Sequence, residues 1–105
     1  MPIEGFELLL DHEGMEWLRT RFITDRGKVV WFSAQYETMD AGERLPVVRF
    51  DSAHGTPHRD LYRRDGTSDK TWFEGMSLGE ALTMGIQDIR ANWRSYRRQY
   101  WGEEA

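Results

Sequence analysis

Residues 28–38 (KVVWFSAQYET) set the pattern for most of the chain: Val30, Phe32, Ala34 and Tyr36 fall on one side of an extended backbone. Val29, Trp31, Ser33, Gln35 and Glu37 fall on the other. This two-residue period, rich in β-branched and aromatic types, predicts a half-buried strand. Residues 16–24 repeat it, with Leu18 and Phe22 opposed to Arg19 and Arg21. Residues 45–51 do so again, with Val48 and Phe50 opposed to Val47, Arg49 and Asp51. Residues 58–63 and 70–76 complete the set. Asp25-Arg26-Gly27 and Arg64-Asp65-Gly66-Thr67 read as turns, and residues 39–44 and 52–57 as loops. Residues 1–15 are weakly patterned, and Phe6, Leu8, Leu9 and Leu10 fit either a short strand or a docked arm.

After residue 76 the period changes. Leu78, Leu82, Gly85, Ile86, Ile89, Trp93, Tyr96 and Tyr100 recur at spacings of three and four, one apolar stripe of a helix. Ser77-Leu78-Gly79-Glu80 has the form of a capping box, and Gly102 is a natural stop. The expected fold is α+β: an antiparallel meander of four or five strands with one C-terminal amphipathic helix packed on one face. The 105 residues are expected to form one domain.

Composition narrows the chemistry. With no cysteine, disulfides, thiolate catalysis and cysteine-ligated zinc are excluded. No apolar run is long enough to cross a membrane, and MPIEGFELLLDHEG lacks the basic start of a signal peptide. The expected location is the cytoplasm. The net charge of −4 argues against a generic nucleic-acid coat protein. Its distribution is uneven, since residues 1–48 hold nine acids and five bases while residues 49–102 hold seven and nine. Twelve of the fourteen bases are Arg, which presents a planar fork to phosphate or carboxylate.

Reactive side chains are densest in RFDSAHGTPHRD, residues 49–60. If Pro57 starts a strand, His58 and Asp60 share a face, and Arg49 and Asp51 can meet them across the hairpin. Three readings stay open. In the first, His54 and His58 act as general base and acid in metal-independent RNA cleavage, with Arg49 or Arg59 on the phosphoryl group and Asp51 beside them. This reading needs no cofactor. In the second, Asp51, His54, His58 and Asp60 bind a metal. In the third, the segment is a hairpin loop whose His and Asp cap turns and pair with Arg.

Two further surfaces stand out. Arg90, Arg94, Arg97, Arg98 and Trp101 flank the helical stripe, either as a solvated face or as a strip that tracks phosphate. Arg19, Arg21, Trp31, Ser33, Gln35, Glu37, Arg49 and Asp51 share the polar side of the sheet if the strands pair in sequence order. With the helix on the other side, that face would be open to a ligand or to a second copy in a homodimer.

The segment VVRFDSAHGTPHRD, residues 47–60, resembles one in small uncharacterised bacterial proteins that also end in an amphipathic helix. More distantly it resembles the TumE-like toxins of toxin–antitoxin modules, in which an Arg-Tyr-Asp-Asn-Ala-Pro-His-His-type segment follows antiparallel strands. The resemblance implies a ribonuclease toxin held by an antitoxin partner, and carries over Arg49, Asp51, His54 and His58.

Overall fold

The computed structural model describes residues 1–103, apart from the side chain of His54. Strands β1 (Glu4–Leu9), β2 (Glu16–Asp25), β3 (Lys28–Asp40), β4 (Glu43–Asp51), β5 (His58–Tyr62) and β6 (Ser68–Trp72) precede one helix, α1 (Leu78–Trp101). Each strand pairs antiparallel with the next, so the sheet runs in chain order from β1 to β6. The α+β meander is as expected, but the sheet has six strands rather than four or five. The additional strand is β1. Its alternation is masked by Glu4, Gly5 and Glu7, and all six of its residues are exposed, so its place is set by backbone pairing with β2.

The loop expected over residues 39–44 is a two-residue turn. Ala41 and Gly42 both have positive φ, 51° and 82°, the twist that lets β3 and β4 continue through it. The last strand starts two residues before and ends four residues before the expected 70–76, since Ser68 and Asp69 pair with Tyr62 and Leu61 and the ladder stops at Trp72.

Two bulges also shift faces that strict alternation assigns. Between β2 and β3, Ile23 opposes Trp31 and Thr24 opposes Val29, so Val30 is passed over. Val29 then packs against the core and Val30 is exposed. Between β3 and β4, Tyr36 opposes Val48 and Glu37 opposes Pro46, so Val47 is passed over and becomes fully buried instead of lining the polar side.

Helix α1 lies across β2, β3 and β4. Leu18, Phe32, Ala34, Tyr36, Val48 and Phe50 from the sheet meet Ala81, Leu82, Ile89, Trp93 and Tyr96 from the helix. Each large side chain so buried stabilises the fold by roughly 1.5–3 kcal/mol. The helix begins at a complete capping box: Glu80 N–H donates to Ser77 Oγ and Ser77 N–H to Glu80 Oε1, both at 3.1 Å. The bond from the Ser77 N–H first, and the Ser77 hydroxyl second, hold the Glu80 carboxyl below its ordinary pKa. No helix among the described residues is long and apolar enough to cross a membrane.

Candidate functional site: the open face of the sheet

The face away from α1 is organised in cross-strand rows. One row runs through Arg21, Ser33, Asp51, His58 and Trp72, each paired with the next. The neighbouring row runs through Glu7, Arg19, Gln35, Arg49, Asp60 and Lys70. Residues separated by two along a strand stand roughly 7 Å apart, so the rows touch through their side chains.

Toward β1, Glu37 is 3% exposed and gathers charge. Arg19 Nη1 lies 3.5 Å and Arg44 Nε 2.9 Å from its carboxylate, the latter an ion pair without the alignment of a hydrogen bond. Arg44 also stacks on Trp17, 4.5 Å from the ring centroid. Gln35 donates to Glu37 and accepts from Arg49 Nε at 2.6 Å. The Arg49 guanidinium continues over Tyr62, 5.7 Å from its ring centroid. Burial raises the Tyr62 hydroxyl, and the nearby Arg49 charge opposes that rise.

Arg19, Arg21, Trp31, Ser33, Gln35 and Arg49 line a shallow hollow of about 190 Å3. Arg19 is matched by Glu37 and, at 4.0 Å, by Glu7. Among the described residues, Arg21 and Arg49 have no carboxylate within 4.0 Å. The hollow therefore presents excess positive charge beside an indole and two neutral hydrogen-bonding side chains.

Beside it, His58 is 1% exposed. Its Nε2 lies 3.0 Å from Asp51 Oδ1 and 3.3 Å from Asp60 Oδ2. Its Nδ1 lies 3.3 Å from the Thr56 carbonyl oxygen. Ala53 N–H donates to Asp51 Oδ1 at 2.9 Å, and Lys70 Nζ is 3.1 Å from Asp60 Oδ1. The Trp72 ring stands 5.0 Å from the imidazole. Three groups named from sequence, Asp51, His58 and Asp60, are thus in direct contact, and Arg49 is in register with Asp60. His54 as acid–base or metal ligand concerns a side chain outside the described residues.

The remaining candidates are elsewhere. Arg59 alternates to the helix side and donates to the Tyr96 hydroxyl at 3.4 Å. Arg94, Arg97 and Arg98 line a larger cavity of about 550 Å3 facing Asp11, Glu13 and Glu16. Arg97 is paired there with Glu16 at 3.5 Å and with Glu103 at 3.0 Å. Arg90 is exposed on α1, outside that cavity's lining. Trp101 donates to Thr38 Oγ1 at 3.4 Å and lies under Arg64, 4.2 Å from its guanidinium.

Lys70, Trp72 and the Thr56 carbonyl did not stand out in the sequence. The alternation of Lys70 and Trp72 on β6, in register with Asp60 and His58, is the signal that places them.

Residues 1–105 match a domain family described as a domain of unknown function, DUF7718. The chain belongs to this family. No curated protein and no solved structure matches it.

Proposed function

We propose that the protein binds single-stranded RNA across the open face of the sheet. The observation that supports this reading is the pair Arg21 and Arg49, without carboxylate partners among the described residues, on one hollow with Trp31. Guanidinium groups take phosphate, and an indole takes a base by stacking, worth about 1–3 kcal/mol per base. Trp72, 48% exposed one row-end away, offers a second stacking surface. A sheet with aromatic and cationic side chains on an uncovered face suits unpaired bases, which can splay across it.

Cleavage of the bound strand, the ribonuclease-toxin reading, draws its support from the likeness of residues 47–60 to TumE-like toxins. It requires His58 to reach the phosphate. The imidazole is enclosed by Asp51, Asp60 and Trp72, so the geometry favours binding over cleavage.

The test is tryptophan fluorescence on titration with a single-stranded oligoribonucleotide at low salt, with intact strand length followed on a gel. Binding is expected to weaken about 5- to 150-fold in Trp31→Ala. In Arg21→Ala and Arg49→Ala, the slope of log affinity against log salt should each time fall by about 0.7. Shortened product would add cleavage to binding. Absence of saturable binding would overturn the proposal. A dimer by light scattering that Trp31→Arg disrupts would reassign the face to self-association, for which an antitoxin-like partner would be a competitor.

A further inference from the structure

We infer that Asp51, His58 and Asp60 form a site for one divalent first-row transition-metal ion. This goes beyond RNA binding and is measured without RNA, so either can fail alone.

The argument begins with His58. Both of its ring nitrogens face only oxygen acceptors among the described residues: Nδ1 the Thr56 carbonyl, and Nε2 the two carboxylates. A neutral imidazole has one N–H. With that proton on Nδ1 and donated to Thr56, the Nε2 lone pair is buried between Asp51 and Asp60 with no donor facing it among the described residues. A cation at that point satisfies all three groups. A backbone carbonyl holding Nδ1–H is the usual way a metal-binding histidine is oriented.

The separations fit. Ligand atoms about 2.1 Å from one ion, at angles of about 90–109°, stand about 3.0–3.4 Å from one another. Asp51 Oδ1 and Asp60 Oδ2 are 3.0 and 3.3 Å from Nε2, and all three donor atoms lie within 4.8 Å of each other. Both His–Asp separations already match those of two ligands on a common ion.

Each ligand is also braced from outside the set. Ala53 N–H holds Asp51, Lys70 holds Asp60 through the oxygen that does not face His58, and Thr56 holds His58. Cross-strand register supplies the rest: Asp51 and His58 are partners on β4 and β5, and Asp60 follows two residues along β5. One imidazole with two carboxylates suits Mn2+, Co2+ or Zn2+, whereas Mg2+ and Ca2+ prefer all-oxygen sites.

The test uses the full chain, stripped of metal and titrated separately with Zn2+, Co2+ and Mn2+ by calorimetry. One ion per chain is expected, with affinity falling at least tenfold in Asp51→Asn and Asp60→Asn but not in the exposed control Glu74→Gln. Folding of each variant is checked by circular dichroism. A second readout needs no variant at the site. In 15N spectra of the histidine rings, one equivalent of Zn2+ should shift Nε2 of His58 and leave its Nδ1 protonated. Assignment comes from His12→Ala and His54→Ala. The proposal is overturned if no ion binds saturably below millimolar concentration. It is equally overturned if Zn2+ shifts only His12 or His54, or if folded Asp51→Asn and Asp60→Asn bind as wild type does.

Discussion

Gly85 on α1 and Phe50 on β4 approach so closely that a methyl group on the glycine would stand 2.8 Å from the phenyl Cγ. Helix and sheet meet at this point because one partner has no side chain. Gly85→Ala should therefore destabilise the protein. Overpacking costs about 1–3 kcal/mol, offset by about 1 kcal/mol of helix propensity. A melting temperature several degrees lower is expected. Adding Phe50→Leu should recover part of the loss, giving non-additive effects in a double-mutant cycle.

His58→Leu removes the one group that Asp51 and Asp60 share among the described residues. The two buried carboxylates then face each other, with Lys70 on one of them. Leaving buried polar groups without their neighbour costs about 1–3 kcal/mol. Urea unfolding should report a loss of that size, with the slope of the transition unchanged.

The tyrosines give a pH dependence on the alkaline side. Burial first, and the hydrogen bond to Asp88 second, push the Tyr96 hydroxyl from 10.0 up to about 12. Burial and Glu16 raise Tyr36 further. Below pH 10 both states carry the neutral phenol, and the stabilisation is complete. From about pH 10 to about 12 the unfolded chain ionises while Tyr96 in the folded chain does not, so stability falls. Absorbance at the tyrosinate band should lag in the native protein against the urea-unfolded chain, and rise abruptly on alkaline unfolding.

At the other end of the helix, Ser77→Ala should cost about 1 kcal/mol by leaving the Glu80 amide without its acceptor. Ser77→Asp should retain most of the stability, read from the same thermal melts.

Alternation was legible wherever a strand buries one face, as in Phe32, Ala34 and Tyr36, because solvent and core impose opposite demands on successive residues. It was weak for β1, where all six residues are exposed and Phe6, Leu8 and Leu9 follow no two-residue period. It misplaced Val29 and Val47, because a bulge changes phase without changing composition. The candidate cluster was legible in part for a related reason. Hairpin geometry brings Asp51 to His58 from local sequence alone, while Lys70 and Trp72 arrive from the next hairpin, whose register depends on where the turn at Gly66 ends. Arg59 went to the helix side because it alternates with His58 and Asp60.

The unbroken neighbour-to-neighbour order of the sheet has a kinetic consequence. Every strand finds its partner across a short connection, so each hairpin closes with little loss of chain entropy. Such local topologies tend to collapse quickly. The one distant event is the return of α1 over β2, β3 and β4, and its arrival is the step expected to set the folding time.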